Sequence, residues 1–184
     1  MDYKGIIELI LDETDYTVGG GCASAIAGAM ACGLLGMVAN LSKGKDYGQT
    51  DEAYDQTIVE LNELKAQLLQ GSVKDNEAYL MIVNAFKLSK TTETEIAARK
   101  GAIRRAGVEA ANVPLENAKL NHRVLAMGKA LAGTSNPACG TDLQAGIDLA
   151  KMGLASAKAN VLVNLPLIKD EIIIENFNKE LALL

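Results

Sequence analysis

From Tyr16 to Ser42 the chain carries no charged side chain, and glycine and alanine make up much of the stretch. A segment of that length and composition has to be buried, either in a protein core or in a bilayer. Strongly lipophilic side chains are confined to Val18, Ile26, Leu34, Leu35, Val38, Leu41 and a few methionines, a mild average for membrane insertion. Small residues recur at Ala25, Ala29 and Gly33, one helical face apart, where a neighbouring backbone can come close. The spacing therefore predicts a buried central helix from about Gly21 to Ser42 in a soluble bundle, with a membrane helix as the competing reading.

The rest of the chain supports an all-helical fold. Among 184 residues there are only 3 prolines and 4% aromatics, against abundant Ala, Leu, Ile, Glu and Lys, so helix formers dominate and a β-sandwich lacks its usual side chains. Residues 1–184 show no linker, repeat or shift in composition, which implies a single domain. Ile6, Ile7, Leu9, Ile10 and Leu11 form a short opening helix. Tyr54, Ile58, Leu61, Leu64 and Leu68 step by three and four, and Tyr79, Ile82, Val83 and Phe86 resume that period after Gly71, as one helix or two. Thr92 and Glu95 have capping-box spacing and start another helix, which Pro114 should kink. Gly133 to Pro137 ends it. A last long stripe, Leu143, Ile147, Ala150, Leu154, Ala157 and Val161, begins near Cys139 to Thr141 and is expected to stop at Pro166, before a terminal helix from Ile168 to Leu184. Five to seven helices on short loops predict an up-and-down antiparallel helix bundle.

Charge and cysteine usage exclude some functions. The net charge of −5 gives no basic footprint for nucleic acid. Cys22, Cys32 and Cys139 are odd in number and not closely paired, and the chain has 1 histidine, so neither a disulfide framework nor a zinc site is expected. The acidic N-terminal region lacks the features of an export signal, which makes the cytoplasm the expected location.

Polar residues on otherwise apolar faces are the candidates for function. Asp75 shares the stripe of Tyr79 and Ile82, where it is either a carboxylate with a chemical task or, with Ser72, part of a helix start. Asn160 and Asn164 follow the last stripe one turn apart, suited to fixing helix register or to binding a polar ligand. Asp142 lies five turns before Asn160, about 27 Å along one helix, so the two cannot grip one small group in a single chain. Gly19, Gly20 and Gly21 open a helix with free backbone amides, an anion or carbonyl site or else a tight turn. Cys22 follows at the helix N-terminus, as a nucleophile of lowered pKa or as packing. Arg99, Lys100, Arg104 and Arg105 form a basic patch, a solvated face or a seat for an anion.

Taken together these segments resemble one family over the whole chain. The run Gly19-Gly20-Gly21-Cys22-Ala23-Ser24-Ala25 with Met37 to Ser42 is similar to the glycine-rich signature of the cyclodeaminase domain of formiminotransferase-cyclodeaminase, the domain shared by free-standing methenyltetrahydrofolate cyclohydrolases. Asp75 to Tyr79, Ala85 to Lys90, Arg99, Val113-Pro114-Leu115, Asn136-Pro137, Asp142 and Ala159 to Leu165 fall where that pattern has such residues. The chain departs from it at Val18, Cys22 and Ser89. The resemblance implies a homodimeric helical enzyme acting on a one-carbon unit of tetrahydrofolate, which is substrate rather than cofactor, with no metal required. Either nitrogen 10 displaces ammonia from a formimino group or water opens a methenyl bridge. Asp75 or Asp142 would transfer the proton and the other would contact the pterin or order a helix. Asn160 and Asn164 suit pterin edges, Gly19 to Cys22 a carbonyl or carboxylate, and Lys90, Arg99 or Arg104 the glutamate tail. A non-catalytic helical dimer is the alternative.

Overall fold

A computed structural model describes residues 1–184 as six α-helices without a strand: α1 (Tyr3–Ile10), α2 (Gly20–Ser42), α3 (Asp51–Lys87), α4 (Glu93–Leu131), α5 (Gly140–Ile168) and α6 (Glu171–Ala182). Helices α2 to α5 run alternately up and down as an antiparallel four-helix bundle, with α2 against α3 and α5, and α4 diagonally opposite. Most of the predicted stripes face inward: Tyr54, Leu61, Leu64 and Leu68 of α3 and Ile147, Ala150, Ala157 and Val161 of α5 are buried. The later α3 stripe is not, Tyr79 and Phe86 being exposed and Ile82 and Val83 half-buried, because α3 there runs towards the end of the bundle. Helix α2 is long and apolar enough to cross a membrane, but 67% of its most apolar window is buried among its neighbours, which makes it the expected central helix.

Small residues set how closely the helices approach, though at different positions from those predicted. Ala25 and Ala29 are buried as expected, whereas Gly33 looks into open space and belongs to the outer face of α2. The close approaches occur at Gly28 of α2, Gly71 of α3 and Gly153 of α5, where the space a Cβ would need is occupied by Asn117 or Asn121 of α4. Asn121 donates from Nδ2 to the carbonyls of Asn117 (2.9 Å) and Ser24 (3.4 Å) at the centre of the bundle. Neither asparagine stands out in the sequence, because polar α4 surrounds them with other hydrogen-bonding residues.

The ends of the helices follow local rules. Thr92 and Glu95 form the reciprocal capping box, with N–H to oxygen distances of 3.2 and 2.9 Å. Asn136 donates from Nδ2 to the Leu41 carbonyl (3.1 Å), closing the C-terminal end of α2 from another element. Helix α3 is continuous through Gly71, Ser72 and Asp75, so Ser72 caps nothing and instead bonds back to the Leu69 carbonyl. Pro166 does not stop α5, which runs on to Ile168. The carbonyl that Pro166 leaves without a donor is that of Leu162, on a solvent-exposed face where water can satisfy it. The terminal helix accordingly starts later than expected, at Glu171, capped by Asp170.

Candidate active site

The N-terminus of α2 opens into a cavity of about 380 Å³ between α3, α4 and α5. Its lining gathers Gly19, Gly20, Gly21, Asp75, Asn160 and Asn164 with Tyr16 and Tyr79. Six of the residues singled out in the sequence therefore converge, although they come from three separate helices and a loop.

Each is placed by an identifiable backbone feature. Gly19 caps α2 without a side chain, leaving its first amides without a capping partner, and the Asp75 carboxylate of α3 reaches the amide of Cys22. That approach requires glycine at 21, since a Cβ there would collide with both carboxylate oxygens. Pro114 of α4 has no N–H to give the Ala110 carbonyl one turn back. Asn164 Nδ2 supplies the missing donor at 2.8 Å, so the hydrogen bond that Pro114 cannot make within α4 is also what anchors a site residue of α5. Asn160 Nδ2 donates to the Ser156 carbonyl at 2.9 Å, and Asn164 Nδ2 also to the Asn160 carbonyl at 2.9 Å. A backbone carbonyl only accepts, so both N–H donors of Asn164 and one of the two of Asn160 are committed, and both Oδ1 atoms remain free to accept. Asn76, unnoticed in the sequence, fixes the rim by donating to the Thr17 carbonyl at 2.9 Å.

Burial raises the pKa of Asp75 above the usual carboxylate range, and hydrogen bonds from the thiol and amide of Cys22 pull it part of the way back. Cys22 itself is 1% exposed and donates from Sγ to Asp75 Oδ2 at 3.3 Å. Burial and then the Asp75 charge push its thiol up to about 12, which removes the nucleophile reading. No group of three His, Cys, Asp or Glu side chains is placed to hold a metal ion.

This arrangement lies within residues 8–183, which match the family model of formiminotransferase-cyclodeaminase. The chain belongs to that family. It is 35% identical to a methenyltetrahydrofolate cyclohydrolase of Methylorubrum extorquens over 95% of this chain and 86% of that one. It is 31% identical to the formimidoyltransferase-cyclodeaminase of Gallus gallus over 83% of this chain, and spans only 28% of that longer protein. The crystal structure of a formiminotetrahydrofolate cyclodeaminase from Thermotoga maritima superposes with a TM-score of 0.82, at 28% identity, over 99% of this chain and 87% of that one.

The remaining residues that the family pattern suggested lie outside the cavity. Asp142 is in the first turn of α5, at the opposite end of the bundle and about 27 Å along that helix from Asn160. Lys90 and Arg99 sit at the tip of the α3–α4 hairpin, about 17 Å beyond Asp75 by helical rise. The Arg99 guanidinium is already engaged, donating to the Phe86 carbonyl at 3.1 and 3.3 Å and lying 5.3 Å from that residue's ring centre. Neither Lys90 nor Arg99 therefore opposes the rise in the Asp75 pKa, and the hydrogen bonds from Cys22 take that part.

Proposed function

We propose that the cavity binds the positively charged N–C–N unit of a tetrahydrofolate one-carbon derivative and that Asp75 transfers the proton on which its conversion depends. The observation that carries this reading is the cavity's lining: one partly buried carboxylate, two free amide oxygens on Asn160 and Asn164, and no cationic side chain. Such a lining favours a ligand that donates hydrogen bonds and carries positive charge. A methenyl bridge supplies the positive charge, a protonated formimino group supplies both charge and N–H donors, and a pterin edge adds further donors. The names of the relatives support the same substrates. They are enzymes, and a purely structural dimer is not favoured.

In the hydrolytic direction water adds to the methenyl carbon, Asp75 accepts one of the water's protons and passes it to nitrogen 5 as its bond to carbon breaks, and the remaining hydroxyl proton is released to solvent as the formyl carbonyl forms. In the deaminating direction nitrogen 10 adds to the formimino carbon, its proton passes through Asp75, and protonated nitrogen leaves as ammonia. Both steps ask for one carboxylate whose pKa lies closer to neutrality than usual. The reading needs no metal or redox cofactor. The glutamate tail would leave the cation-free cavity along the α3–α4 hairpin towards Lys90 and Arg99. Three unpaired cysteines suit a reducing, cytoplasmic setting.

The test is to incubate the protein separately with methenyl- and formimino-tetrahydrofolate and follow the methenyl chromophore. Loss of the signal identifies a cyclohydrolase and gain a cyclodeaminase, whereas no change with either substrate removes the reading.

The same proposal includes a homodimer. Met30, Gly33, Met37 and Leu41 form an exposed, uncharged stripe on α2, and Met30 and Leu41 are 51% and 50% exposed. A second copy pairing this face about a twofold axis would cover it. Met37→Lys is expected to convert a dimer into a folded monomer in sedimentation experiments, and a wild-type monomer at micromolar concentration would dispose of the idea.

A further inference from the structure

We propose that Cys22 is a positioning residue for the reaction: its thiol, fixed in the first turn of α2, holds Oδ2 of Asp75 so that the carboxylate stays at the mouth of the cavity. The inference rests on Asp75 as the proton-transfer group and goes beyond it, because Cys22 does not line the cavity and acts only through its neighbour.

Three observations converge on the pair. Cys22 packs with Ile6 and Val73 in a small apolar cluster, which restricts its side chain. The absent Cβ of Gly21 leaves the space into which the carboxylate fits. The 3.3 Å Sγ to Oδ2 hydrogen bond is the one side-chain hydrogen bond that Asp75 makes, so its other oxygen has no side-chain donor within the chain. With its pKa pushed to about 12, the thiol keeps its proton at any working pH and remains a donor. An S–H group is a weak donor. The side-chain part of the hold on Asp75 is therefore weak, and together with the Cys22 amide it offsets only part of the rise that burial produces, which leaves the carboxylate able to carry a proton closer to neutrality.

The ionisable groups facing Asp75 are few. Cys22 comes from α2, Tyr79 from α3 itself and Tyr16 from the α1–α2 loop, while α4 and α5 present Ala110, Asn160 and Asn164, which do not ionise. Replacing the thiol thus changes the main adjustable influence on the carboxylate.

Cys22→Ser provides a stronger donor of similar size and Cys22→Ala removes the donor. The acid limb of the pH profile of kcat/KM is expected to move to lower pH in Cys22→Ser and to higher pH in Cys22→Ala, each by roughly 0.5–1 pH unit, as one hydrogen bond gained or lost implies. A ¹³C NMR titration of the Asp75 side-chain carboxyl in the same three proteins reads that group without relying on turnover. Opposite displacements in both measurements support the proposal. Folded variants whose Asp75 titration matches the wild type overturn it and reduce Cys22 to packing. Displaced NMR titrations with an unmoved kcat/KM profile support the thiol's hold on Asp75 and overturn Asp75 as the transfer group.

Discussion

Asp75→Asn is expected to lower turnover by about 10²–10⁴ while leaving the helical bundle intact, the usual contribution of a positioned acid or base. The amide keeps the shape of the carboxylate and can still accept from the Cys22 thiol, but has no proton affinity in the useful range. Stability should respond in the opposite sense. Because burial raises the Asp75 pKa in the folded protein, the folded state holds this proton more tightly than the unfolded one. The resulting stabilisation is complete below the ordinary carboxylate pKa and is lost as pH rises through the raised folded value. At neutral pH the ionised, partly buried carboxylate is a burden, so denaturation should find Asp75→Asn at least as stable as wild type, with the difference growing as pH rises through that window. Asp142→Asn, changed at the far end of α5, should keep a near-normal rate. A normal rate for Asp75→Asn with a collapsed rate for Asp142→Asn would exchange the two roles.

Gly153→Ala should be the most damaging conservative change in the bundle. A Cβ at that position meets the Ser24 backbone carbonyl at 2.8 Å as well as the Asn121 amide, and backbone cannot swing aside as the end of a side chain can. Asn121 is fully buried and its Oδ1 has no hydrogen-bond partner, so it is already packed against Gly28 and Gly153 with no alternative place to go. Overpacking of this kind costs about 1–3 kcal/mol. That corresponds to a fall in Tm of roughly 3–10 °C for a domain of this size. Helix propensity alone favours alanine over glycine by about 1 kcal/mol, so any net loss isolates the clash. Gly36→Ala, where nothing lies within 4 Å, is the control and should be neutral or stabilising. Equal Tm values for Gly153→Ala and the wild type would refute the role given to this contact.

The difference between Gly153 and Gly33 illustrates which properties were legible in the chain. Periodicity along one helix is a local property, and it located the stripes of α3 and α5, the Thr92 capping box and the inward face that carries Asp75. The uncharged run from Tyr16 to Ser42 likewise marked α2 as central. Such patterns state that a helix has a buried side, but not how far it is rotated or shifted against its neighbours. Gly33 was therefore a reasonable candidate for close packing and proved to face outward, while Gly153 drew no attention until α5 lay across Ser24 and Asn121.

The candidate site divides along the same line. An all-helical bundle, a glycine-rich start to α2 and a few polar residues on apolar faces could be read from the amino acids alone, because each follows from residue type and spacing within one segment. Packing between helices was needed to show that Asp75 reaches the amide of Cys22, that the Cys22 thiol faces that carboxylate rather than a substrate, and that Asn164 answers the carbonyl left open by Pro114. It also separated Asp142 from the cavity and let α5 run through Pro166. Each of these depends on what a second helix offers to an unpaired donor, acceptor or gap. That is set by the packing of surfaces distant in sequence, which no spacing within one helix encodes.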